Sequence, residues 1–156
     1  MKKIILLFIA ILTFNFSSAQ DYSIEELNVI QNLFGVQKKA VFEENMDLTD
    51  ANSESFWKLY NQYEIERKKI GTEKMEILKS YSEKEGAVTN EQADEILGKA
   101  GKIRSAEHSL IMKYVKRIRK DTNPIVAAQF YQIENYILDG VRFTLLNNID
   151  FIHKKE

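Results

Sequence analysis

The sequence of 156 residues contains no cysteine and a single proline. The absence of cysteine excludes disulfides, cysteine-ligated zinc and iron–sulfur sites, and thiol nucleophiles. One proline and six glycines are too few for a sandwich, barrel or doubly wound sheet, each of which needs a turn roughly every dozen residues. Long helices remain, and we predict an all-α protein with one compact domain, which suits 44% hydrophobic and 29% charged residues.

The first 19 residues have the pattern of a secretion signal. Lys2 and Lys3 precede an apolar run over residues 4–12, and Ser17-Ser18-Ala19 offers small residues at the positions that signal peptidase reads. A membrane anchor is the alternative, but a span needs about 20 apolar residues and this run is too short. We therefore predict cleavage after Ala19 and export of a helical domain over residues 20–149, followed by a C-terminal tail over residues 150–156.

Removal of residues 1–19, with their two lysines, would leave 20 basic and 23 acidic side chains. A chain with this excess of negative charge has no electrostatic case for binding nucleic acid. No glycine-rich phosphate loop is present either, so we expect no nucleotide site and no cofactor.

Capping residues mark the starts of four helices. Ser23 and Glu26 form a capping box for a first helix that should end near Asn45, and Thr49 is the N-cap of a second that should run to about Lys84. Thr89 and Gln92 form another capping box, and Pro124 suits the first position of a helix. The third helix should end near Lys120. Asn123 is then the N-cap of the fourth helix.

The second and third helices carry inward positions at alternating spacings of four and three, which is typical of helices that pack side by side. The short connection at Gly86, an expected helix C-cap, predicts a long antiparallel central hairpin. In this register Arg67 faces Glu107, and each is a polar residue in an apolar seam, so we predict that they pair and that Lys74 reaches outward to solvent. The alternative is that both seams are partly open to solvent and the match is accidental.

Two segments resemble the LTxxQ motif of the Spy/CpxP family of small helical periplasmic proteins. They are Leu48-Thr49-Asp50-Ala51-Asn52 and Val88-Thr89-Asn90-Glu91-Gln92, each at the start of a helix, and Asn52 and Val88 depart from the motif. The segment over residues 124–137 is similar to the fourth helix of Bacteroidetes-type relatives. The likeness covers residues 40–140.

This resemblance implies a four-helix protein that forms a curved homodimer in the periplasm. Members of the family hold unfolded envelope proteins without ATP, and others modulate envelope-stress sensor kinases. The resemblance therefore implies an exported, chaperone-like protein whose partners are unfolded or envelope proteins. The alternative is a signalling modulator that binds a membrane sensor or a sigma/anti-sigma system.

A group of basic residues in the third helix is the candidate client-binding surface. Charge there could attract acidic clients, although cations near a helix C-terminus also offset the helix dipole. We call this group the basic surface: Lys113, Lys116, Arg117, Arg119 and Lys120.

Aromatic residues in the second helix, including Phe56, Tyr60 and Tyr63, could also contact a client, but their common helical arc favours the core. Glu134 in the fourth helix is expected to accept a hydrogen bond from a tyrosine or an arginine across the bundle.

Metal binding and catalysis have no candidate residues. His108 and His153, the two histidines, lie far apart, and neither has a ligand partner one helical turn away. No Glu-x-x-His motif, nucleophile elbow or convergent triad is present. We predict no metal site and no enzymatic activity.

Overall fold

A computed structural model describes residues 24–82, 86–147 and 150–155. These residues form four helices and two short strands: α1 (Ile24–Asn45), α2 (Asp50–Ser82), β1 (Ala87–Val88), α3 (Asn90–Asp121), α4 (Pro124–Leu146) and β2 (His153–Lys154). The predicted all-α fold is confirmed. The expected signal over residues 1–19 and the expected cap Ser23 lie outside the described residues.

The start of α3 has the predicted capping box. The Thr89 hydroxyl accepts from the Gln92 N–H at 3.3 Å, and the Gln92 side chain accepts from the Thr89 N–H at 3.0 Å. At the start of α4 the Asn123 side chain accepts from the Val126 N–H at 3.0 Å, with Pro124 at the first helical position. Backbone donors that a helix leaves unpaired are therefore satisfied locally at both starts.

Helices α1 and α2, α2 and α3, α3 and α4, and α4 and α1 pack against each other. Aromatic rings fill the middle of this arrangement: Phe42 of α1 lies between Tyr60 of α2 and Phe130 of α4, at centroid distances of 4.9 and 5.7 Å. Phe56 of α2 completes the group. Burial of these large rings is the main apolar contribution to stability in this region.

Most of the predicted inward positions of α2 are buried, whereas in α3 this holds for Ile103, Leu110 and Tyr114. The predicted pairing between Arg67 and Glu107 is wrong. Glu107 Oε1 instead lies 3.0 Å from Lys74 Nζ, so Lys74 is also not the outward-reaching cation that we expected. Arg67 contacts Glu64 on its own helix at 3.0 Å, and its guanidinium lies 4.8 Å from the centroid of the Phe34 ring. The physical reason is that Arg67 faces α1. The spacing of inward positions in α2 and α3 does not include contacts with a third helix.

Residues 150–155, part of the expected tail, fold back against the connection between α2 and α3. Strand β2 pairs in parallel with β1, the His153 N–H donates to the Gly86 carbonyl at 2.9 Å, and the Lys155 N–H donates to the Val88 carbonyl at 3.1 Å. Gly86 has φ +80°, and an added Cβ would lie 2.6 Å from the Phe151 carbonyl oxygen. Glycine is therefore required here by both its backbone conformation and the close approach of the C-terminal segment.

Candidate functional site

Two residues of the basic surface are paired with α2. Lys113 Nζ lies 2.7 and 2.8 Å from the two carboxylate oxygens of Glu66, and the Arg117 guanidinium donates to the Gln62 side chain at 2.7 Å. Hydrogen bonds from Lys113 and from the Tyr114 hydroxyl lower the pKa of Glu66 below its ordinary value. Lys113 and Arg117 therefore help to hold α3 against α2 as well as contributing positive charge.

The other three residues of the basic surface are exposed. Lys116, Arg119 and Lys120 make no hydrogen bond or ion pair with the residues that the structure describes. They lie in the last two turns of α3, which is followed directly by α4. Their charges are available to a partner, and they also lie where cations offset the dipole of α3.

The residues quoted for the resemblance occupy the starts of two helices. The Thr49 N–H donates to the Asn52 side chain at 2.9 Å, as the Thr89 N–H does to Gln92. The side chains of Asn52 and Gln92 thus accept the same kind of hydrogen bond, from the threonine N–H three residues earlier, although Asn52 departs from the motif. Leu48 packs against the core and Val88 is buried, so the first position of each segment is also equivalent.

A fully buried ion pair lies at the centre of the bundle, where α1, α2 and α4 meet. Lys38 of α1 and Glu134 of α4 are both 0% exposed, and Lys38 Nζ lies 2.7 Å from Glu134 Oε1 and 2.6 Å from Oε2. Lys38 Nζ also lies 2.6 Å from Oε1 of Glu64, on α2. One ammonium group therefore connects three helices.

Arg67 balances the charges of this group. It is 7% exposed, and its Nε lies 3.0 and 3.1 Å from the two carboxylate oxygens of Glu64. Lys38, Glu64, Arg67 and Glu134, which we call the charge cluster, contain two cations and two anions. Such neutrality is what a buried ionic group needs, since an uncompensated charge in this environment is costly.

The surroundings of the charge cluster shift the pKa values of nearby groups. Burial alone raises the pKa of Glu64, but the positive charges of Lys38 and Arg67 outweigh it, and the net pKa is below its ordinary value. The Tyr63 hydroxyl donates to Glu134 Oε1 at 2.5 Å, and burial together with the Glu134 charge raises the pKa of Tyr63 well above its ordinary value. These surroundings therefore favour the ionised form of Glu64 and the neutral form of Tyr63.

Aromatic rings enclose the ammonium group of Lys38. Its Nζ lies 4.7 Å from the centroid of the Tyr63 ring and 5.9 Å from those of Phe42 and Tyr60, within the range of cation–π attraction. The buried Tyr60 hydroxyl makes no hydrogen bond with the described residues. Phe56, Tyr60 and Tyr63 are thus in the core, as their helical arc favours.

Sequence reasoning missed Lys38 and Glu64 but singled out Glu134. The Glu134 carboxylate does accept from a tyrosine, as expected, while its cation is a lysine and not an arginine. The signal for Lys38 was present, because it lies four residues from both Phe34 and Phe42 and so shares their face of α1. A charged residue at such a position implies a buried partner.

A cleft of about 360 Å³ lies between α2 and α3, near the end of α2. Its walls combine three glutamates, two lysines and three isoleucines with Ser80 and Gln92. In the described ranges, no group of three or more histidine and acidic side chains could hold a metal ion. None of the helices described has the length and apolarity to cross a membrane.

No protein-family model matches the chain, and neither a curated protein nor a solved structure does. The likeness to the Spy/CpxP family therefore depends on the two capping segments, the fourth-helix segment and the helical layout.

Proposed function

We propose that the chain is an exported, ATP-independent, chaperone-like protein of the Spy/CpxP type that binds unfolded or envelope polypeptides. The observation that carries the proposal is that exposed cations at the end of α3 adjoin a helix with large apolar side chains on its outer side. The export pattern of residues 1–19 and the resemblance of the capping segments support the same function.

The outer side of α4 provides the apolar part of this surface. Ile125, Tyr136 and Phe143 are 68%, 56% and 69% exposed. Eleven and seven residues separate them, which is close to three and two helical turns, so they lie along one line on the helix. Exposed apolar groups in such an arrangement are typical of interaction sites.

Charge and apolar contact would act in sequence. Lys116, Arg119 and Lys120 would attract acidic segments of a client over about 10 Å at moderate salt, and the apolar line on α4 would then retain the client at short range. Capture of this kind needs no nucleotide, because the unfolded client itself provides the exposed apolar groups.

An aggregation assay tests the proposal. Equimolar protein should suppress light scattering by a reduced or heat-unfolded test protein. Replacement of Lys116, Arg119 and Lys120 by glutamine should weaken the suppression several-fold at low salt, whereas glutamine at Lys99, Lys102 and Arg104 removes the same charge from the other half of α3 and should not. Failure of the unmodified protein to suppress scattering would overturn the chaperone-like function.

The apolar line needs its own comparison. Tyr136→Ser with Phe143→Ser should weaken suppression at all salt concentrations, and Leu97→Ser, which removes an exposed side chain from α3, should have little effect. If binding to a membrane sensor is retained while suppression is absent, the signalling modulator is the better description.

The proposed assembly is a homodimer, since exposed apolar faces of this kind commonly meet in symmetric pairs. Sedimentation at high micromolar concentration measures it directly, and a monomer there would contradict this part of the proposal.

A further inference from the structure

The charge cluster lies under α1 and forms part of the contact between α1 and the other helices. In the described part of α1, the fully buried side chains are Lys38 and Phe42. Both carboxylate partners of Lys38 belong to other helices. Its ion pairs therefore connect the described part of α1 to α2 and α4.

We propose that α1 is an acid-releasable cover: it packs on α2 and α4 while Glu64 and Glu134 are ionised, and it detaches when they take up protons. Detachment would uncover the aromatic surface formed by Phe56, Tyr60 and Phe130. Detachment of α1 in acid is a property of the fold. Its test measures the opening of α1 and does not depend on the proposed function.

The balance of charge explains why protonation would release α1 in particular. With both carboxylates ionised, two anions neutralise Lys38 and Arg67. When both are protonated, the Lys38 ammonium group remains buried among aromatic side chains without the charge of either carboxylate partner, which is unfavourable. Lys38 regains water when α1 leaves, because it belongs to that helix.

Each of the four described helices contributes titratable or charged groups around this site. They are Lys38 and Glu43 of α1; Tyr60, Tyr63, Glu64 and Arg67 of α2; Tyr114 of α3; and Glu134 of α4. The tyrosines stay neutral in acid, so the carboxylates are the groups whose charge changes as the pH falls. Among them, Glu64 and Glu134 contact Lys38, whereas Glu43 is exposed and contacts Lys39.

The end of α1 that joins α2 has its own attachment. The Asp47 N–H donates to the Gln129 side chain at 3.3 Å, and Gln129 donates in return to the Asp47 carboxylate at 2.7 Å. Residues 46–49 should therefore remain against α4 while the part of α1 around Lys38 moves.

A tryptophan lies next to the part of α1 that would move. The Lys39 Nζ atom lies 5.3 Å from the centroid of the ring of Trp57, the single tryptophan of the chain. Trp57 fluorescence thus reports the closed state directly.

The test is hydrogen exchange of the full chain from pH 7 to pH 3, with helix content followed by circular dichroism. As the pH falls, we expect the open fraction of α1 to rise about 10-fold per pH unit for one proton and about 100-fold for two, before α3 and α4 lose protection. Trp57 fluorescence should change over the same pH range. Loss of α1 protection only together with that of all other helices would overturn the proposal.

Two variants separate release from general acid damage. Glu134→Gln should increase α1 opening at pH 7 by about 100-fold or more, because Lys38 loses a buried partner, and Glu66→Gln, the matched change at an exposed pair, should not. Lys38→Met with Glu134→Met should keep α1 protected over the whole scan, down to about pH 3, and so remove the local transition. An unchanged transition in this double variant would contradict the proposal, whether or not Glu134→Gln folds.

Discussion

Lys38 and Glu134 lie 96 positions apart in the chain, yet their charged groups are 2.7 Å apart in a fully buried ion pair. Each lies on a different helix, and α2 provides the second carboxylate, Glu64. Lys38 therefore connects α1 to both α2 and α4.

The first prediction concerns the coupling within this pair. Lys38→Met alone should lower the free energy of unfolding by about 3–5 kcal/mol, because it leaves a buried carboxylate without its cation. Lys38→Met with Glu134→Met should recover much of this loss, since the methionines fill the space without charge. Urea denaturation at pH 7 measures both.

A matched exposed pair serves as the control for this cycle. Lys113 and Glu66 also connect two helices, but they are 50% and 40% exposed. Their coupling should be at most about 1 kcal/mol. Equal couplings for the buried and the exposed pair would contradict the energetic role that we assign to burial.

The second prediction tests the register of α2 and α3. A double-mutant cycle with Lys74→Met and Glu107→Gln should give a coupling of about 0.5–1 kcal/mol, because this pair is partly exposed. The cycle between Arg67→Met and Glu107→Gln should be additive within about 0.5 kcal/mol. The reverse result would restore the register expected from the sequence.

The third prediction compares two glycines. Gly86→Ala should destabilise the protein by about 1–3 kcal/mol, because φ is positive and the new Cβ meets the Phe151 carbonyl. Gly98→Ala, in a helix where nothing lies within 4 Å, should stabilise it by about 0.5–1 kcal/mol. Thermal unfolding measures both.

Hydrogen exchange shows whether the loss in Gly86→Ala is local. The amides of His153 and Lys155 donate to the carbonyls of Gly86 and Val88. They should lose protection in Gly86→Ala and keep it in Gly98→Ala. Retained protection in both variants would mean that the C-terminal segment does not depend on the conformation of Gly86.

The fourth prediction concerns alkaline pH. The folded pKa of Tyr63 is raised above its ordinary value of 10.0, first by burial and then by Glu134. A raised folded pKa means that Tyr63 contributes stability in full below pH 10 and that this contribution falls as the pH rises above 10. Tyr63→Phe should therefore show a shallower loss of stability above pH 10 in urea denaturation. An identical slope in both proteins would contradict the shift.

Local features of the fold could be predicted from the sequence. The capping box of Thr89 and Gln92, the Asn123 cap and the position of Pro124 were all correct, because each depends on residues within one helical turn. The inward face of α2 was also largely correct, since a helix repeats its faces with a fixed period.

Relations between distant segments needed the tertiary structure. The partner of Glu107 changed from Arg67 to Lys74, because Arg67 turns toward α1 and no local rule states which neighbour a helix face will meet. The pairing of residues 153–154 with residues 87–88 likewise depends on where α4 ends in space. Strands of only two residues carry no alternating pattern that could predict them.

The amino-acid sequence alone determined that the described part of this protein is built from four helices and where most of them start, because helix formation and capping are local. The tertiary structure alone decided that Lys38 is buried against Glu64 and Glu134, since that contact requires three helices to converge with two cations and two anions in balance. Charge compensation in a core is a property of the assembled bundle, and no single helix contains it.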